Sequence, residues 1–232
     1  ICSSVEFVLG QAFNSDKKRF LQLQEVYETY YLGVSFAFFT ITLLLFPSFI
    51  QLYTSDIKDI NYVDPWLPYL FTALYVLMYA RRTSSQIINF AGHFQQTQWR
   101  SILESAINLS VSVFLVAQIG IYGVLIGTIV ALLYRTNDII IYTNRKILNR
   151  FPWKTYRRWG INLAVMVFLV WWLKRYLSGM ESYLMWVLNA LWVSIVCLVA
   201  FFVIDSLFDR SSFYFVVGRI KRLIVSRRKL RE

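Results

Sequence analysis

Thr72, Tyr75, Tyr79, Arg82, Gln86, Asn89 and His93 recur at spacings of 3, 4, 3, 4, 3 and 4. On an α-helix that spacing stacks them on one side, while Leu74, Val76, Leu77, Met78 and Ile87 face elsewhere. One wet stripe on an otherwise apolar helix suits a membrane protein with an aqueous interior. Arg81 and Arg82 stand inside this segment, and a charge at membrane depth costs ~2.5–3.5 kcal/mol on insertion scales unless it meets water, a counter-ion or an anionic ligand. The chemistry on offer is recognition of an anionic group such as a phosphate by guanidinium side chains.

Neighbouring segments carry further polar groups in register. Glu104, Asn108 and Ser112 lie at i, i+4 and i+8, and Thr128, Arg135, Asp138 and Tyr142 share a face of the next apolar run, where Arg135 and Asp138 form an i,i+3 ion pair. Two arrangements are open to these charges. In one, Arg81, Arg82, Gln86, Asn89, Glu104, Asn108, Arg135 and Asp138 line a substrate cavity. In the other, the arginines snorkel to the headgroups and Glu104, Arg135 and Asp138 neutralise one another. Asn108 and Ser112 equally suit bonds between helices. Gly120 and Gly123 suit a tight turn, and Gly123 with Gly127 has the GxxxG spacing of close helix contact, a structural role. His93 is the single histidine and reads as an interfacial residue rather than a metal ligand. The sequence offers no nucleophile–base pairing, phosphate-cradling glycine loop or Walker pattern. The expectation is therefore a non-enzymatic protein without ATP drive, metal or cofactor.

The elements that must position these residues are membrane helices. Hydrophobic residues make up 57% of the 232 residues, above the ~45–50% apolar share of ordinary soluble domains. Residues 33–53, 105–134 and 183–204 are uncharged runs that reach or exceed the ~20 residues needed to cross a bilayer core. The net charge of +11 falls between and after these runs, as the positive-inside rule expects, so nucleic acid is not an expected partner. Six spans are expected: 31–53; 65–90, opened by Pro65 and anchored by Trp66; 101–119; 121–143; a short one over 160–173, extended by flanking tryptophans, Lys174 and Arg175; and 183–204. Lys17, Lys18 and Arg19, the 94–100 turn, and the acid-free loop with Arg145, Lys146, Arg150, Lys154, Arg157 and Arg158 then face the cytoplasm. The 54–64 loop, with Asp56, Asp59 and Asp64 against Lys58, faces out together with 174–182. Beyond Asp209 the tail is strongly basic. It sets Phe213, Val216, Val217, Ile220, Leu223 and Ile224 on one helical face, which suits anionic lipids of the inner leaflet. Cys2 and Cys197 read as buried small hydrophobes, and residues 5–12 as the tail of a helix whose start is missing.

Leu45-Phe46-Pro47-Ser48-Phe49-Ile50 through Leu52-Tyr53-Thr54, then Asn61-Tyr62, then Ala91-Gly92-His93-Phe94 with Thr97, resemble successive markers of bacterial polysaccharide flippases. The densest likeness is Ile102-Leu103-Glu104-Ser105-Ala106-Ile107-Asn108-Leu109 with Ser112, followed by Ile119-Gly120-Ile121-Tyr122-Gly123-Val124-Leu125-Ile126-Gly127-Thr128. Together they resemble the C-terminal half of a lipid-linked oligosaccharide flippase of the multidrug/oligosaccharidyl-lipid/polysaccharide exporter superfamily. The likeness extends over Ile1 to Arg150; beyond that only two spans and a basic tail agree.

The resemblance implies an all-α, polytopic fold of about six transmembrane helices. Residues 1–30 would be the end of a preceding helix and its connection, 31–143 four helices of the second transporter lobe, 144–205 a basic loop and two additional helices, and 206–232 a basic tail. It also implies alternating-access transfer of undecaprenyl-pyrophosphate-linked oligosaccharide across the bacterial inner membrane for surface polysaccharide biosynthesis. The missing N-terminal lobe would be a necessary partner. The rival readings are a multidrug antiporter of the same superfamily, favoured by an acid-lined cavity, and part of a membrane glycosyltransferase or polysaccharide polymerase, which needs a substantial catalytic loop.

Overall fold

The structure, a computed structural model, describes residues 2–57, 62–177 and 182–229, excepting the side chains of 2–3 and 220–229. Lys58, Asp59 and Asn61, the tail side chains from Ile220 onward, and the side chain of Cys2 therefore lie outside the described residues. The helices are α1 (Cys2–Ser15), α2 (Lys17–Tyr53), α3 (Leu67–Ala80), α4 (Arg82–Phe90), α5 (Phe94–Ile119), α6 (Ile121–Tyr142), α7 (Trp153–Leu173), α8 (Tyr183–Phe208) and α9 (Arg210–Lys229). Among the described residues the regular structure is entirely helical.

Asp16 opens the longest helix. Its Oδ1 accepts from the backbone N–H of Lys18 at 2.9 Å and of Arg19 at 3.2 Å, satisfying donors that the first turn leaves orphaned. The chain then stays helical for 37 residues, with no glycine before Gly33, so the expected connection over 17–30 is part of the same rod as the first span. At 1.5 Å per residue such a rod reaches ~55 Å, well beyond a ~30 Å hydrocarbon core. Its first turns support a second layer of helices, α1 and α4.

The second expected span is two pieces. Asp64 Oδ1 accepts from the N–H groups of Trp66 and Leu67, both at 2.8 Å, and Pro68 rather than Pro65 occupies the first turn of α3. The helix is interrupted at Arg81, just before Thr83, Ser84 and Ser85. These residues favour local alternatives to the helical ladder, and Ser85 Oγ donates to the Arg81 carbonyl at 3.1 Å. Span four ends in a π-helical turn, Thr143–Ile147, and α7 begins at Trp153, seven residues before the expected start at Gly160.

Among the described residues, four helices are long and apolar enough to cross a membrane: α2, α5, α6 extended through Ile147, and α8. The two other expected spans are not in that set. α3 has only 14 residues, and α7 carries Lys154, Arg157 and Arg158 in its first turns. The main core joins α2, α3, α7 and α8 through Phe36, Ala37, Val76, Ala80, Leu169, Leu173, Val193 and Cys197. A smaller core of Leu9, Phe20, Ile87 and Leu148 fixes α1 and α4 to the start of α2 and to the turn after α6. The α1–α2, α4–α5, α6–α7 and α8–α9 turns meet at one end, where Arg150 pairs with Glu25 at 3.1 Å and Thr29 donates to Asp209 at 2.9 Å. At the far end the Tyr122 hydroxyl donates to Asp64, and Tyr183 to the Leu52 carbonyl.

α5 and α6 form a hairpin about Gly120, whose φ of +60° is a conformation glycine adopts without a Cβ penalty. Their backbones touch. A Cβ on Gly123 would stand 2.5 Å from the Leu115 carbonyl carbon, and one on Gly127 would stand 2.7 Å from the Ser112 nitrogen while overlapping its hydroxyl. Backbone atoms cannot turn aside, so Gly127→Leu is expected to destabilise the hairpin by roughly 1–3 kcal/mol, the usual cost of overpacking. Gly160→Ala, where a Cβ meets nothing, should leave the protein unchanged or slightly more stable. Melting of detergent-solubilised protein followed by size exclusion distinguishes the two; equal melting temperatures would contradict the backbone contact.

Candidate functional site

Adjacent residues on a helix point ~100° apart, and Arg81 and Arg82 diverge accordingly. Arg81 Nη1 lies 2.8 Å from Glu104 Oε1 on α5, whereas Arg82 Nη2 lies 3.2 Å from Glu6 Oε1 on α1. They form no shared fork. Gln86 Nε2 also donates to Glu6 Oε1, which ties α4 to α1. The polar stripe is divided in the same way. Thr72, Tyr75, Tyr79 and Arg82 line a groove of about 670 Å³ between α2 and α3, opposite Tyr31, Ser35 and Thr42. Phe38, Phe39, Phe46 and Phe71 complete its walls. Asn89 belongs to a separate cavity of about 380 Å³ with Thr97, Gln98, Ser101 and Arg135, and His93 Nδ1 meets the Tyr142 hydroxyl at 3.0 Å.

Glu104, Arg135 and Asp138 neutralise one another across α5 and α6. Arg135 Nη1 is 3.0 Å from Asp138 Oδ2 and its Nε 3.5 Å from Glu104 Oε2, while Arg100 Nη1 binds the other oxygen of Asp138. With Arg81 the ladder holds three guanidinium groups against two carboxylates, leaving one positive charge beside the smaller cavity. Asn108 lies farther along the hairpin. Its Oδ1 accepts from Ser112 Oγ at 3.0 Å and from Thr128 Oγ1 at 3.3 Å, so it joins α5 to α6. The predicted residues therefore divide among the groove (Arg82), the α1–α4 tie (Gln86), the polar cavity and its ladder (Asn89, Arg81, Glu104, Arg135, Asp138) and the hairpin bond (Asn108).

The most deeply buried charges are ones the sequence reading passed over. Arg158, counted above as a loop residue, is 3% exposed. Its Nη1 lies 2.7 Å from Glu28 Oε2, and its Nη2 2.5 Å from Asp209 Oδ2. Thr155 donates to Glu28 at 2.6 Å, and Asn162 Nδ2 donates to Asp205 Oδ1 at 3.0 Å. Burial tends to raise the Asp209 carboxyl, but the hydrogen bonds and charge of Arg158, helped by Ser211 and Thr29, override it and hold it at about 2. A signal was available: Arg158 and Asn162, and Asp205 and Asp209, are i,i+4 polar pairs at the ends of apolar runs.

Among the described residues the fold and these sites define a helical bundle, with four helices long and apolar enough to cross a membrane and ion pairs buried between helices. Comparison with known proteins gives no match to a family model, a curated protein or a solved structure.

Removing the buried cation strands two carboxylates. Arg158→Ala is expected to cost roughly 3–5 kcal/mol, against within ~0.5 kcal/mol for the exposed neighbour Arg157→Ala. The Asp209 contribution carries a pH signature of defined sign. Its native value is lowered, so the stabilisation is present above the ordinary 3.8 and is lost as pH falls toward about 2. Melting temperature followed across that range should fall less steeply in Asp209→Asn than in the wild type.

Proposed function

We propose that the chain is the second-lobe portion of a flippase that carries lipid-linked oligosaccharide across the bacterial inner membrane. The observation that carries this reading is the groove between α2 and α3. The cargo is an amphiphile with a polyprenyl tail, a pyrophosphate and a glycan. The groove presents a matching series of surfaces, from Phe46 and Phe71 through Tyr75 and Tyr79 to Arg82 at the basic end. Phenylalanine walls suit the tail, and the guanidinium suits the phosphates. Arg82 is held by Glu6 at 3.2 Å, yet its side chain is 50% exposed, so an anion of higher charge can reach it.

The net-positive ladder at Arg81, Arg100, Arg135, Glu104 and Asp138 supports an anionic cargo in the same half of the bundle, and a first lobe would close the open side of the groove. The basic segment after Asp209 would rest on anionic lipids at the inner surface. The drug-antiporter reading is weaker, because the charged side chain lining the groove is an arginine. No observation favours the glycosyltransferase or polymerase reading.

Surface polysaccharide restored in a flippase-deleted strain by the full-length protein is the test. Arg82→Ala should lower it about tenfold or more at matched abundance, the loss of one charge-assisted contact of roughly 1.5–3 kcal/mol. Arg82→Lys, which keeps the charge but not the planar fork, should retain part of it. Wild-type polysaccharide from Arg82→Ala would remove the anion site, and failure of the wild-type protein itself to restore polysaccharide would remove the flippase reading.

A further inference from the structure

Asp205 sits one turn before the end of α8, 4% exposed, against Gly33 of α2 and Asn162 of α7. Asn162 fixes its own orientation: Nδ2 donates to the Arg158 carbonyl at 2.9 Å and to Asp205 Oδ1 at 3.0 Å, so a reversed amide would face two acceptors. Two oxygens are then left over. Asp205 Oδ2 and Asn162 Oδ1 are buried and receive no hydrogen bond. Both lie near the Cα of Gly33, where a Cβ would overlap Asp205 Oδ2 and stand 4.0 Å from Asn162 Oδ1. Two facing acceptors without a donor from the protein oppose each other, and a weak Cα–H contact from Gly33 does not replace a full hydrogen bond.

One proton resolves both vacancies. A carboxylic acid and a primary amide pair through two parallel bonds, N–H to the acid carbonyl and O–H to the amide carbonyl, and the first of these is already made. The charges around Asp205 favour the same answer. Tyr30 faces it from α2, and the charges of Arg158 on α7 and Asp209 just before α9 act on it, while that guanidinium is already bonded to Glu28 and Asp209. A third ionised carboxylate would be uncompensated in a buried setting. Sodium is a poorer occupant, because the orphaned oxygens number two and the nearest fixed cation is Arg158.

From this geometry we infer that Asp205 is a proton-binding site, a neutral acid paired with Asn162 at the junction of α2, α7 and α8, where proton release would disturb the contact with Gly33. The released proton goes to bulk water and the carboxylate stays behind. A cavity of about 30 Å³, the size of a single water, lies between Asp205, Gly33 and Tyr30. The Tyr30 hydroxyl, on a residue that lines this cavity, reaches Ser206 Oγ at 3.3 Å. The inference stands whatever the cargo of the proposed transporter.

Infrared spectroscopy of the purified full-length protein reads this directly. At neutral pH the wild type should show the carbonyl stretch of a protonated carboxylic acid, shifted by isotope-labelled aspartate, absent in Asp205→Asn and lost on raising the pH. Asp205→Asn keeps the shape and the neutral charge, so it should fold and melt like the wild type at low pH and surpass it at high pH. If that variant does not fold, Asn162→Ala and the wild-type pH titration still decide: removal of the pairing amide should shift the same band. A wild-type spectrum with no protonated aspartate band at neutral pH overturns the inference. So does a sodium-dependent rise in melting temperature at constant pH that Asp205→Asn abolishes.

Discussion

A charge withdrawn from water has to be neutralised inside the fold, and this constraint organises the structure. The bundle meets it twice. Glu28, Arg158 and Asp209 bind α2 to α7 and to the junction of α8 and α9, and the ladder from Arg81 to Arg100 binds α3 to α5 and α6. In a bilayer, apolar packing between helices gains little over packing against lipid, so such contacts and close backbone approaches decide which helices meet. Gly123 and Gly127 supply the close approach in the α5–α6 hairpin. Gly33 instead leaves room for the Asp205 side chain where α8 packs on α2.

With the charges paired off, what remains open is mostly apolar. α5 packs on α6 and presents the rest of its surface outward, with Thr97 its one buried residue. The groove between α2 and α3 is lined by aromatic side chains, with Phe39 packed on Tyr75 and Tyr79, and Arg82 stands half exposed at its basic end. An apolar groove ending in a guanidinium suits a lipid with an anionic head. That is the physical link between the architecture and the proposed transport.

Periodicity and short-range spacing were legible in the sequence. The apolar runs at 105–134 and 183–204 became α5, α6 and α8; Gly123 and Gly127 became a helix contact; and Arg135 and Asp138 became an ion pair at 3.0 Å. These features depend on residues within a turn or two of one another. The parts that escaped depend on distant pairings. Arg158 looked like one more basic loop residue until Glu28, 130 positions away, was brought beside it. Arg81 and Arg82 looked like one site because they are neighbours in sequence, yet the helix that carries them sends them to α5 and α1. The interruption at Arg81 was also hidden, since the polar stripe keeps its spacing through Arg82, Gln86 and Asn89.

The most direct test of the groove as the lipid path is photo-crosslinking in living cells. A photoreactive phenylalanine analogue at Phe38, which lines the groove, is compared with the same analogue at Phe114 on the outer face of α5, 67% exposed. The lipid-linked oligosaccharide should be captured at Phe38 and not at Phe114, and the yield should fall when Arg82→Ala is added. Capture of ordinary phospholipid alone at both positions would contradict a substrate groove between α2 and α3.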